Sequence, residues 1–204
     1  MFSRKRLAVV VSHPIQYYSP WFAHLATCDS LELRVFYLWD FGITGQTDRG
    51  FGVVVQWDIP LLDGYDFEFV TNVSDDPGTH HFSGLNNPTL VSQIVAWAPH
   101  CILLFGFNFL SHQRLLWSWV LRRIPILMRG DSHNLGRSRG LRSIIARTVR
   151  RLIFSRCAGF LTVGKANSDY FQSHIDRPIF QAAHFVDNDR FRLAVEHNDA
   201  KSAL

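Results

Sequence analysis

The stretch Val9–Pro20 reads VVVSHPIQYYSP and decides the fold. The apolar run that ends at Val11 shows no alternation with polar residues, which predicts a strand buried on both faces of a sheet. Ser19 followed by Pro20 is typical of a helix N-cap and its first helical residue. The turn between strand and helix then lies at the carboxyl end of a parallel strand, where open α/β sheets bind their ligands.

Strand-like and helix-like segments alternate along the rest of the chain. Strands are predicted near 6–12, 32–38, 66–70, 100–105, 125–129, 159–163 and 179–184. Helices are predicted near 20–28, 88–97, 110–122, 138–155 and 165–174, the second with Asn87 and Pro88 as its N-cap and first residue. This alternation predicts an α/β fold: a Rossmann-like, mostly parallel sheet of about seven strands with helices on both faces. Two long connections, 40–65 and 71–86, interrupt it and are typical of functional loops.

Composition agrees with one globular domain. The 204 residues are 47% hydrophobic with a formal net charge of +4, and we assign 1–187 to the domain and 188–204 to a linker or tail. The three cysteines (Cys28, Cys101 and Cys157) have no metal-ligand spacing and are expected to be reduced, packed thiols of a cytoplasmic protein. Neither a signal peptide nor an apolar run of membrane-spanning length is evident.

Two common site types are disfavoured. The Gly-x-Gly-x-x-Gly turn of dinucleotide folds is replaced by Ser12-His13-Pro14 after the first strand, and no Walker A motif occurs. The adjacent His80 and His81 lack a regular ligand spacing, so we expect no metal site.

Polar residues that follow the predicted strands form the candidate site. His13, Gln16, Tyr17 and Tyr18 follow the first strand and are candidate substrate-binding residues, although His13 could equally shape the turn through backbone hydrogen bonds. The other substrate-binding candidates are Gly106, Asn108, Arg129 and Gly164. Gly106 and Gly164 would let the backbone approach a ligand, while ordinary strand-to-helix turns explain these positions as well.

A carboxylate and an imidazole supply the candidate catalytic groups. Asp131 is the candidate general base for an acceptor hydroxyl, with His133 as the alternative. Taken singly, Asp131 is better explained as a cap of the next helix or a partner of Arg129, whereas the cluster with His133 favours function.

Arginines crowd the segment Arg142–Arg156. Arg147, Arg150 and Arg151 lie three and four residues apart on one helical face beside an apolar stripe. Peripheral contact with anionic lipid at the inner face of a membrane is one interpretation, and an ordinary solvated face is slightly favoured over it. Nucleic acid is not expected as a partner, because no recognition motif is present.

Several stretches of the sequence, taken together, resemble the N-terminal domain of GT-B glycosyltransferases of the retaining family 4 group. The resemblance is carried by residues 12–20, 50–52 with 57–65, 82–88, 125–132 and 186–191. It implies half of a GT-B fold that binds the acceptor, with His13 and Asp131 on the acceptor side of an interdomain cleft. It also implies a nucleotide-sugar donor held mainly by a C-terminal domain, and metal-independent transfer without a further cofactor.

The run Val186–Phe191 resembles the segment that precedes the donor domain, and the given sequence then ends at Leu204. We therefore expect an acceptor-side half, inactive alone, that transfers sugar to a glycan or lipid-linked acceptor in polysaccharide biosynthesis when a C-terminal half completes it. The given chain is then either a fragment, from a truncated or frameshifted gene, or one subunit of a split enzyme whose C-terminal half is a separate chain. The alternative is a non-catalytic module, derived from that fold, which binds carbohydrate or a protein partner.

Overall fold

A computed structural model describes residues 3–43, 60–131 and 141–185. The strands are β1 (Lys5–Val11), β2 (Leu31–Tyr37), β3 (Asp66–Phe69), β4 (Cys101–Phe105), β5 (Ile126–Gly130), β6 (Gly159–Thr162) and β7 (Ile179–Gln181). The helices are α1 (Ser19–Ala26), α2 (Leu90–Trp97), α3 (Leu110–Trp117), α4 (Leu141–Phe154) and α5 (Lys165–Gln172), and a 3₁₀ turn spans Phe82–Gly84. The predicted bounds of the first six strands differ from these by one residue at most.

All seven strands pair in parallel in the order β3-β2-β1-β4-β5-β6-β7. This architecture confirms the predicted Rossmann-like α/β class. The order reverses between β1 and β4, which pair directly with Val9 opposite Leu103. Chain connections leave this point in opposite directions, so a crevice opens between the loops that follow the two strands.

The central strand β1 is buried on both faces, as its apolar run predicts. Ala8 and Val10 pack into the core beneath α2–α5, while Val9 and Val11 pack into a second core with Phe22 of α1. Alternate residues of a strand point to opposite faces, so a strand enclosed on both sides needs apolar residues at every position. Within the described residues, no helix is both long enough and apolar enough to cross a bilayer.

The two predicted helix caps are wrong. Tyr18 is the N-cap of α1 and Ser19 lies inside the helix, where its hydroxyl accepts a hydrogen bond from Tyr65. Thr89 is the N-cap of α2, and the buried Asn87 side chain instead donates to the carbonyl oxygens of Leu38 (3.0 Å) and Val70 (2.8 Å). In both cases the side chain predicted to cap the helix N-terminus forms a hydrogen bond with a residue distant in sequence instead.

All five predicted helices extend past the observed ones: by two residues at one end of α1, α2 and α5, by one residue at the C-terminal end of α4, and by five residues at the C-terminal end of α3. The backbone at Ser118 is extended and ends α3 there, so the helix does not reach residue 122. The described part of the arginine-rich helix begins at Leu141, and the predicted residues 138–140 lie outside the described ranges.

Candidate functional site

The loop after β1 carries His13 at the mouth of the crevice. The Nδ1 atom of His13 lies 3.0 Å from the hydroxyl of Ser12. Its ring meets two aromatic rings from the loop after β2 edge-on, at centroid distances of 5.8 Å to Trp39 and 5.5 Å to Phe41. The imidazole is therefore held in one orientation while it remains half-buried, which suits a group that binds a ligand at this edge.

Tyr18 stands at the centre of the site. Its ring lies 4.6 Å from that of Phe105, the last residue of β4. Arg129, near the end of β5, lies beside Tyr18: its Cζ is 5.9 Å from the Tyr18 ring centroid, and its charge acts on the Tyr18 hydroxyl. Three strand ends thus contribute to one cluster, as expected where parallel strands end at a common edge.

Arg129 ties this cluster to the segment 182–185, which we call the strap. Its guanidinium donates to the carbonyl oxygens of Ala182 (2.5 Å) and Ala183 (3.3 Å). In the strap, the ring centroid of His184 lies 6.0 Å from that of Tyr17 and 6.4 Å from that of Tyr18. The ring of Phe185 stacks on that of His24, with 5.6 Å between the ring centroids. The predicted strand over 179–184 is therefore too long, since the chain leaves the sheet after Gln181 to follow these contacts.

Burial and charge determine the ionisation of the cluster. Burial raises the pKa of the Tyr18 phenol, and the nearby Arg129 cation opposes that rise. Burial also lowers the pKa of Arg129, while Tyr18 and Asp131 favour its charged form. Asp131 itself is exposed at the end of β5 and acts electrostatically on both groups. The cluster therefore presents a neutral phenol, a guanidinium and an accessible carboxylate, a set that can bind hydroxyl groups and accept a proton.

The remaining predicted site residues have fewer contacts with the cluster around Tyr18 and Arg129. Gly106 adopts a positive φ of 84°, and its N–H donates to the Arg129 carbonyl at 2.9 Å, so it belongs to the cluster's backbone. Asn108 is exposed in the following loop, and Gln16 is half-buried. Gly164 is extended at the start of α5, where an added Cβ would meet no atom within 4 Å. His133 lies outside the described residues.

Several residues of the site were not predicted. Trp21, Trp39, Phe41 and His184 all contact predicted site residues. Trp39 and Phe41 lie in the loop that follows β2. By what we call the strand-end rule, which identified His13, residues just after a parallel strand lie at the ligand-binding edge of the sheet. The same rule applied to the sequence after β2 would have identified Trp39 and Phe41. The position of His184 depends on the strap, whose course follows from contacts far apart in sequence.

The histidine pair of the second long loop has local partners. His80 Nε2 lies 3.1 Å from Asp76 Oδ2, and His81 Nε2 lies 2.9 Å from the Asp76 carbonyl oxygen. The ligand atoms of the three residues lie within 4.8 Å of one another, a spacing compatible with a metal ion. Hydrogen bonds within the loop account for the same geometry, so the expectation of no metal stays a prediction.

No protein-family model matches this sequence, and no curated protein matches it either.

Proposed function

We propose that this chain is the acceptor-side domain of a retaining glycosyltransferase that works with a second, donor-binding domain. One observation carries the proposal: the exposed Asp131 carboxylate stands within electrostatic reach of Tyr18 and Arg129, beside the reversal point of the sheet. Ligands of open α/β sheets bind at that point. The resemblance of residues 12–20 and 125–132 to family 4 transferases supports the same assignment.

In this proposal Asp131, with His133 as the alternative, orients the acceptor hydroxyl and accepts its proton. The acceptor oxygen bonds to the anomeric carbon of the donor sugar as the bond from that carbon to the nucleoside diphosphate breaks, and the nucleoside diphosphate leaves with the donor domain. His13 and the half-exposed ring of Tyr17 bind the sugar. Tyr18 and Arg129 hold the loops after β1 and β5 in register, so a shift of either loop would misplace the reacting groups. Gly106 and Gly164 allow close approach of the backbone, and Gln16 and Asn108 supply amide donors and acceptors.

The donor in this proposal is a nucleotide-sugar that the second domain holds, whether on the same chain or another. The turn after β1 supports this division, since Ser12-His13-Pro14 lacks the glycines that cradle a pyrophosphate. Transfer would proceed without a metal or other cofactor, to a glycan or lipid-linked acceptor in polysaccharide biosynthesis. The cytoplasm, where nucleotide-sugars are available, is the proposed location.

Sugar binding tests the first half of the proposal. Saturation-transfer NMR of the 204-residue chain with a panel of mono- and oligosaccharides is expected to show binding of at least one sugar. The variant His13→Ala should weaken that binding, whereas His100→Ala should not, because His100 precedes β4 at the opposite end of the sheet. Absence of binding by folded protein, or equal loss in both variants, would contradict the proposed site.

Turnover distinguishes the transferase from a binding module. The chain alone, incubated with radiolabelled nucleotide-sugars and the sugar that it binds, is expected to be inactive. Addition of a separately expressed donor domain should restore transfer, and Asp131→Asn should reduce the rate about 10²-fold or more, as expected for loss of a general base. Sugar binding without turnover in a folded complex would favour the non-catalytic alternative.

A further inference from the structure

The basic residues of this protein are concentrated in one third of the chain. Between Leu110 and Ser168 there are twelve arginine and lysine residues and one acidic residue, Asp131. The other 145 residues carry nine basic and sixteen acidic side chains, so the modest total of +4 conceals two regions of opposite sign. Such asymmetry is typical of a surface that meets a polyanion.

The same third of the chain exposes large apolar side chains. On α4, Ile145, Val149 and Leu152 lie four and three residues apart and are 67%, 49% and 57% exposed. This spacing places them on one helical face, and Arg156 continues it beyond the end of the helix. Ile153 and Phe154 form the buried face, so the exposed stripe is additional to what the core requires.

Arg156 joins this stripe to the end of α3. Its Nε donates to the Leu116 carbonyl at 3.0 Å, and its Cζ lies 5.9 Å from the Trp117 ring centroid. Trp117, Trp119 and Val120 are 46%, 78% and 55% exposed, and the exposed Arg122 and Arg123 follow them. We define the docking surface as six apolar residues of the two helix regions: Trp117, Trp119, Val120, Ile145, Val149 and Leu152.

We infer that this docking surface rests on an anionic lipid bilayer. A basic amphipathic helix with aliphatic and tryptophan side chains inserts its apolar face at the headgroup boundary, and arginines at the rim pair with acidic lipids. Nucleic acid fits less well because the exposed stripe of α4 is aliphatic, and aliphatic side chains offer nothing to a phosphate backbone but insert readily among acyl chains. This inference does not depend on the proposed transferase function.

Vesicle flotation with the whole chain tests the inference. Binding to vesicles of phosphatidylcholine with 30% phosphatidylglycerol is expected to be at least tenfold tighter than binding to phosphatidylcholine alone. The double variant Val149→Ser, Leu152→Ser should weaken binding at least tenfold. The matched control Val95→Ser removes a 44%-exposed valine from α2 and should leave binding unchanged. All of these positions are exposed, so circular dichroism should show folded protein throughout.

Two further experiments test separately the electrostatic contribution of the arginines and the insertion of Trp119 into the bilayer. Arg122→Gln with Arg123→Gln should weaken binding to the anionic vesicles by about fivefold per arginine. Brominated lipids should quench the fluorescence of Trp119. That fluorescence is obtained as the difference in tryptophan emission between the native chain and the variant Trp119→Phe. Failure to bind anionic vesicles, binding that survives the Val149/Leu152 variant, or tighter binding to an RNA oligonucleotide than to vesicles would each overturn the inference.

Discussion

The guanidinium of Arg129 lies over the indole of Trp21, with 4.7 Å between Cζ and the ring centroid. The same group donates to the carbonyl oxygens of Ala182 and Ala183. One side chain near the end of β5 therefore connects α1 to the strap. Because Arg129 is only 2% exposed, these contacts operate with little solvent screening.

Loss of the Arg129 head group is expected to release the strap. Arg129→Met keeps the aliphatic stem but removes the donors and the cation over Trp21, and should cost about 2–4 kcal/mol in the free energy of unfolding. Arg129→Lys should recover only part of this, since an ammonium cannot reproduce the planar fork. Urea denaturation followed by tryptophan fluorescence measures both.

Arg34 provides the control for that experiment. Its Nε lies 2.7 Å from Asp66 Oδ2, and its Cζ lies 5.4 Å from the Trp97 ring centroid, but the pair is open to solvent. Arg34→Met should cost less than about 1 kcal/mol. Equal costs for the two arginines would show that the contacts with the strap contribute nothing to stability.

His112 should make stability depend on pH. The side chain is fully buried in α3, and among the described residues neither ring nitrogen has a hydrogen-bond partner. Burial lowers the pKa of His112 to about 3. Below pH 6.5 the unfolded chain binds a proton that the folded chain refuses, so stability should fall by about 1.4 kcal/mol per pH unit down to about pH 3.

The variant His112→Leu isolates this contribution. It removes both unpartnered nitrogens at similar volume, so stability at pH 7.5 should be unchanged or higher. Between pH 6 and pH 4, the difference in unfolding free energy between variant and native chain should widen. Parallel stability curves for the two proteins over that range would refute the assignment.

Asn87 should be essential to the joint between β2, β3 and α3. Its amide nitrogen donates to the Leu38 and Val70 carbonyl oxygens, and its Oδ1 accepts a 2.9 Å hydrogen bond from Ser111. Asn87→Leu leaves these buried groups unpaired, at an expected cost of about 2–4 kcal/mol. The exposed Asn108→Leu serves as control, and thermal unfolding of both variants would show whether burial decides the cost.

The sequence predicted the sheet because the information is local. Leu7–Val11 specifies a strand enclosed on both faces whatever lies next to it, and the alternation of elements then requires parallel pairing. The caps at Ser19 and Asn87 failed because distant groups compete for those side chains. The site divides in the same way: His13 and Tyr18 follow from the strand-end rule, whereas the contact of Arg129 with Ala182 joins residues 53 positions apart.

The three thiols should differ in reactivity according to burial. Burial raises the pKa of Cys157 to about 12 and also raises the pKa of Cys101. Alkylation requires the thiolate, so at pH 8 iodoacetamide should modify the half-buried Cys28 first and Cys157 last. Mass spectrometry over time gives the order, and denaturation in urea should bring the three rates together. Native Cys157 reacting as fast as Cys28 would mean that the core around Phe154 and Phe160 opens readily.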